Sequence, residues 1–175
     1  MKTKMFCLMA FIIVFAGCDK IKDAATVPVT TKLKADIPVV VSSGAKSVVE
    51  VNALNFTKTH ELKLADNTDI APYLSKIKEI NLNSLVVTIT GLTAGQTINS
   101  VSLEVTGVGN IFTQTNITMS NNSFTPVIAS GTLTSVASKL TSDKKITLVV
   151  TGNASGPMSF TVSLNFDTKI VAYVL

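Results

Sequence analysis

Met158-Ser159-Phe160-Thr161-Val162-Ser163-Leu164-Asn165-Phe166 is the stretch that decides the fold. Five apolar side chains alternate with four small polar ones. Successive side chains of a strand point to opposite faces, so this segment reads as a strand with one dry face and one wet face. A helix would need apolar residues three and four apart, a spacing this stretch lacks. Upstream, Ile146, Leu148 and Val150 repeat the period after Lys144-Lys145. Between the two runs lies Gly152-Asn153-Ala154-Ser155-Gly156-Pro157, rich in turn formers. The spacing predicts a β-hairpin with a longish loop.

The same alternation recurs through the chain. Leu85, Val87 and Ile89 form one run, and Val101, Leu103 and Val105 another, separated by Gly91-Leu92-Thr93-Ala94-Gly95. Ala35, Ile37, Val39 and Val41 open the domain; 48–57, 60–64, 111–119 and 170–175 complete a predicted set of eight to ten strands. Two short segments have helical spacing instead. Ile70, Tyr73, Leu74 and Ile77 lie in 69–78, with Thr68 or Asp69 as a possible cap, and Leu133, Val136, Ala137 and Leu140 lie in 133–140. Short one-faced strands with few helices predict an all-β chain. The expected architecture is a two-sheet antiparallel β-sandwich, immunoglobulin-like in layout, with short crossover helices near 69–78 and 133–140. The chain has no Trp and no cysteine pair outside its first 18 residues, which excludes an antibody-type core. A lipocalin-like barrel is the alternative, and it would need strongly curved strands around a lumen.

The amino terminus reads differently. Lys2 and Lys4 precede twelve apolar residues, Met5 to Ala16. This is the pattern of a signal peptide; twelve helical residues span only about 18 Å, short of a membrane's ~30 Å core. The following Phe15-Ala16-Gly17-Cys18 resembles a bacterial lipobox, with Phe15 where Leu is usual. The resemblance covers the first 20 residues. It implies a bacterial lipoprotein whose mature chain starts at a diacylated Cys18, the lipid attachment point. The Lys/Asp-rich residues after Cys18 resemble Bacteroidetes surface-export signals, and Asp19 alone resembles an inner-membrane retention signal. The implied location is the cell envelope, outer membrane favoured. The mature domain resembles immunoglobulin or fibronectin modules only in general pattern. The expected organisation is a signal peptide over 1–17, a lipidated cysteine and tether over 18–31, and one domain over 32–175.

Composition narrows the chemistry. The 175 residues include 15 Lys, no Arg, 11 acids and one His. Removing 1–17 takes two lysines and no acid, so the formal charge falls from +4 to +2. Without Arg or a lysine cluster, no nucleic-acid footprint is expected. Cys7 is lost with the signal peptide and Cys18 is modified, so neither a disulfide nor a cysteine metal cluster can form. No cofactor is expected. His60 has no evident partner, since Glu61 points to the other face of a regular strand. Asp66, Asn67, Thr68 and Asp69 make an oxygen-rich turn, so Asp66 and Asp69 are weak candidates for calcium, although the stretch lacks the loop spacing of an EF-hand. No Gly-x-Ser-x-Gly elbow occurs.

The reading that follows is a non-catalytic module, lipid-anchored through its acyl chains and serving adhesion, surface assembly or partner binding. Envelope proteins or surface polysaccharide are the expected partners, and the turns 66–72, 91–97, 107–110 and 152–157 the expected contacts. Two alternatives stand beside it. One is a small-ligand or carbohydrate-binding lipoprotein of the outer membrane. The other is a hydrolase using a carboxylate pair drawn from Asp66, Asp69, Glu79 and Glu104.

Overall fold

A computed structural model describes residues 25–42 and 54–174. Eight strands appear in this order: β1 (Thr26–Val41), β2 (Leu54–Lys63), β3 (Ile77–Thr90), β4 (Ile98–Val105), β5 (Gly109–Ile117), β6 (Ser123–Phe124), β7 (Lys145–Ala154) and β8 (Met158–Tyr173). Among the described residues one α-helix, α1, spans Ser130–Asp143. The strands form two four-stranded antiparallel sheets, ordered β1-β8-β3-β6 and β2-β7-β4-β5. The predicted all-β sandwich is therefore the observed class.

Alternation drives this packing. Along β8 every even-numbered residue from Met158 to Ala172 is buried and faces the opposing sheet. Leu33, Ala35, Ile37, Val39 and Val41 do the same on β1. Each large apolar side chain so placed stabilises the fold by about 1.5–3 kcal/mol. Edge-to-face rings tie the sheets together: Phe56 of β2 meets Phe160 of β8 at 5.4 Å, and Phe112 of β5 meets Phe124 of β6 at 5.8 Å. α1 buries Leu133, Val136, Ala137 and Leu140 and packs chiefly on β3. It ends where Lys144 adopts a left-handed conformation (φ 59°) and donates its N–H to the Leu140 carbonyl.

Several expectations change. The predicted hairpin between the 146–150 and 158–166 runs does not form. β7 pairs with β2 and β4, whereas β8 pairs with β1 and β3, so Ser155-Gly156-Pro157 carries the chain from one sheet to the other. The 158–166 and 170–175 runs are one strand. Thr168 keeps its phase by facing inward, fully buried, with its hydroxyl donating to the Phe166 carbonyl at 3.0 Å. Similarly, 54–63 is one strand where the chain was divided near 57–60, and residues 48–53 lie outside the described residues. Residues 26–31, assigned to the tether, belong to β1 and pair with 168–173. Pro28 is tolerated there because β1 is an edge strand. The 69–78 segment is a 3-10 helix over Ala71–Lys76, whose N-cap residue is Ile70. Neither Thr68 nor Asp69 caps it, because both side chains serve other positions or none. Asp69 instead accepts a hydrogen bond from the Thr31 hydroxyl at 2.7 Å. Neighbouring Asn67 donates to the Lys32 carbonyl at 3.1 Å. The turn is thus stitched to β1.

Candidate functional site

Strand direction divides the molecule into two poles. β1, β3, β5 and β7 run away from the end where Thr26, Ile77, Gly109 and Lys145 lie. β2, β4, β8 and α1 run back towards it. Fifteen residue steps of β1 separate the near pole at Thr26 from the far pole at Val41, roughly 50 Å in an ideal strand.

The charges sort by pole. Ionisable residues sit early in outgoing elements, such as Lys78 and Glu79 of β3 or Lys145 of β7. They sit late in returning ones, such as Glu61 and Lys63 of β2, Glu104 of β4, Lys169 of β8 and Asp143 of α1. Segments 37–42, 54–57, 80–103, 105–138 and 146–166 contain no Lys, Arg, Asp, Glu or His. These segments supply every described residue at the far pole. Lys46 and Glu50 lie in 43–53, outside the described residues.

The structure divides the four predicted contact turns. Turns 91–97 and 152–157 meet at the far pole, where the Thr97 N–H donates to Ser155 Oγ at 3.1 Å and the Ser155 N–H donates to the Thr97 carbonyl at 2.8 Å. Turns 66–72 and 107–110 lie at the near pole. A fifth turn, 118–122, joins the far cluster; no alternation or glycine signal marked it. It is fixed by a capping box in which the Thr118 N–H donates to Asn121 Oδ1 at 2.6 Å and the Asn121 N–H donates back to the Thr118 side chain, with a backbone bond from the Asn121 N–H to the Thr118 carbonyl at 3.3 Å beside it. Between 93–97 and 118–120 lies a cleft of about 230 Å³, lined by Thr93, Ala94, Gly95, Gln96, Thr97, Thr118, Met119 and Ser120.

No family model matches the chain. No curated protein matches it either. Among solved structures it is similar to one titled desmodium yellow mottle tymovirus, at 15% identity and a TM-score of 0.35, over 85% of this chain and 90% of that one. A likeness that loose identifies neither fold nor function.

At the near pole, His60, Glu61 and Asp66 line a second cleft of about 260 Å³ together with Lys32, Lys34 and Lys63. His60 and Glu61 share it although they alternate along β2, because the cleft opens at the rim of the sandwich between β1 and β2. Glu61 is gripped by two lysines: Lys145 Nζ at 2.6 Å from Oε1, and Lys63 Nζ at 3.0 Å from Oε2. The hydrogen bond from Lys145, then that from Lys63, hold its carboxyl below the ordinary glutamate range. A carboxylate so engaged is a poor proton donor. Asp69 is committed to Thr31, and Glu79 lies in a different cleft, between β3 and α1, where its Oε1 accepts from Asn81 at 3.0 Å. Among the described residues no three His, Cys, Asp or Glu side chains come together as metal ligands, so Asp66 and Asp69 have no third partner of that kind. That β3–α1 cleft, about 420 Å³, is open and polar, with Thr134, Ser138, Thr141 and Ser142 on its helix side. Cys18 lies outside the described residues, and no described helix is long and apolar enough to cross a membrane.

Proposed function

We propose that the chain is a lipid-anchored binding module of the bacterial envelope, held at Cys18 and presenting to a partner a far pole whose described residues carry no charge. The observation that carries this reading is the placement of the first strand. β1 enters at the charged near pole, so an anchor with seven residues between it and Thr26 leaves the far pole facing away. Seven extended residues reach about 25 Å, which lets the domain tilt without inverting easily. A lipoprotein cysteine carries two or more acyl chains, and two suffice for stable attachment at about 0.8 kcal/mol per buried CH₂.

The partner-binding role is supported by what the far pole offers. Its turns are rigid, hydroxyl- and amide-rich and concave, properties a loop cluster on a sandwich uses for recognition. Catalysis finds less support, because, of the acids considered for a carboxylate pair, Asp66 and Glu79 line separate clefts, Asp69 is bound to Thr31 and Glu79 to Asn81, and Glu104 stands on β4 opposite Asn110 and Val149.

The test is metabolic labelling with palmitate of the wild type and of Cys18→Ala. The wild type takes up label and fractionates with membranes, and Cys18→Ala does neither. Equal labelling of both would end the anchored reading.

A further inference from the structure

The far-pole cleft has a chemistry specific enough to name a class of ligand. We infer that it binds the sugar residues of a neutral glycan, an inference that takes from the anchored reading only which way the pole faces. Its walls are turns 93–97 and 118–120. Five of its side chains are hydroxyl or amide groups: Thr93, Gln96, Thr97, Thr118 and Ser120. Hydroxyls and amides both donate and accept, as sugar hydroxyls do. An ionic ligand would give up hydration in a cleft whose described lining offers no counter-charge. The flanking segments 80–103 and 105–138 contain none.

Part of this hydrogen-bonding capacity is unspent. Gln96 Oε1 accepts from the Thr93 N–H at 3.0 Å, and among the described residues nothing engages Gln96 Nε2. The Thr93 and Thr97 hydroxyls are likewise without a protein partner among the described residues, although both backbones are pinned, Thr93 to Gln96 and Thr97 to Ser155. Backbone held and side-chain groups open is the arrangement of a preorganised site, where binding loses little loop entropy. Met119 adds the apolar element. It is 56% exposed beside these groups, and its thioether side chain suits the C–H face of a sugar ring. At about 230 Å³ the cleft suits one or two rings of a longer chain. A protein partner would need a far larger contact, about 800 Å² on each side.

Methionine supplies the reporter. Of the chain's five Met, three lie in 1–17, one is Met119 and one is Met158, which is buried. Full-length lipidated protein, labelled at the Met methyls and held in a sugar-free polyoxyethylene detergent, is titrated with cellohexaose, maltohexaose, mannohexaose and, as the charged counterpart, hexagalacturonate. Met119→Leu assigns the signal. At least one neutral hexasaccharide shifts the Met119 methyl at about millimolar concentration, as a shallow polar site implies, while Met158 stays fixed and hexagalacturonate has no effect. Gln96→Glu keeps the acceptor for the Thr93 N–H but adds charge, and raises the dissociation constant about tenfold; Thr97→Val raises it about fivefold. Thr113→Val, on the wet face of β5, leaves it unchanged. A Met119 signal indifferent to all three neutral sugars overturns the inference, as does equal binding of hexagalacturonate or an unaffected Gln96→Glu protein of native melting temperature. The readout does not involve Cys18, so a failed anchor and a failed ligand are separately visible.

Discussion

Gly152→Ala isolates the packing beneath the far pole. Gly152 lies inside β7, opposite Phe56 of β2 on one side and Val101 of β4 on the other. A Cβ built there would fall inside the van der Waals shell of the Ser100 carbonyl oxygen and 2.6 Å from Phe56 Cζ. Gly152 is not among the glycines with positive φ, so alanine fits its backbone conformation and the penalty is wholly steric. Phe56 can swing, but Ser100 is backbone and is tied again by Asn153 Nδ2 to its hydroxyl at 2.9 Å. Overpacking of this kind costs about 1–3 kcal/mol. The loss of glycine's unfolded-state freedom returns about 0.4–1 kcal/mol. The net destabilisation is about 1–2 kcal/mol, a fall of roughly 2–8 °C in Tm for a domain of this size. Thermal unfolding followed by far-UV circular dichroism measures it, with Gly156→Ala as the control because nothing lies within 4 Å of a Cβ there. A Gly152→Ala protein as stable as the wild type would refute the claim that β2, β7 and β4 close tightly at this point.

Other perturbations test other parts of the structure. Leu140→Ala, which empties a fully buried position of α1, lowers the unfolding free energy by about 2–5 kcal/mol in urea titration. The Lys63–Glu61–Lys145 cluster depends on pH with a definite sign: because the folded Glu61 carboxyl is held below its ordinary range, its contribution is whole at neutral pH and fades as pH falls through the folded value. The stability difference between wild type and Glu61→Gln therefore shrinks in acid, and it also shrinks in high salt because all three side chains are solvent-facing. Gly91→Ala is destabilising by two routes, since Gly91 has φ +93° and an added Cβ would lie 3.1 Å from the Ser159 carbonyl oxygen; its melting temperature falls where that of Gly156→Ala does not.

Much of the sandwich is written locally, and its connectivity is not. The alternation of Phe160, Val162, Leu164 and Phe166 gives a strand and its dry face without reference to any other residue. Nothing local says which sheet that strand joins. Gly156-Pro157 turns the chain equally well into a hairpin or across to the opposing layer, and the choice is made by long-range pairing of β8 with β1 and β3. Thr168 shows a second limit. A polar residue ordinarily ends an apolar run, yet a threonine can satisfy its own hydroxyl on a nearby carbonyl and stay buried, so β8 continues to Tyr173. The tether bound at residue 31 fails in the same way, because the tolerance of an edge strand for Pro28 is a property of the sheet. Turn 91–97 was legible from its glycines. Turn 118–122 was legible only in part, as the Asn121-Asn122-Ser123 that ends the 111–119 run; the strand stops earlier, at Ile117, because the capping box begins at Thr118 in a stretch whose threonines and asparagines all look alike.

The division between poles could have been read from the sequence, and it argues against a merely passive surface. Charge-free runs are common in β proteins, but here most fall in phase with strand direction, ending low on returning strands and beginning above Lys78-Glu79 and Lys145 on outgoing ones; 105–138 is the exception, since it crosses the near pole at turn 107–110. Random placement would not follow a reversal that exists only after folding. Solubility does not ask for it either, because interspersed charges of both signs protect a surface better than a segregated set. Met119 at 56% exposure and Val127 at 101% sharpen the point, since both lie within the charge-free run 105–138. A surface that gives up charge repulsion yet remains covered in hydroxyl and amide groups is well hydrated and indifferent to ions. Such a surface favours partners that are polar and neutral. If the segregation serves binding, adding paired charges at the far pole, as in Thr93→Lys with Ser120→Glu, leaves folding intact while removing that preference.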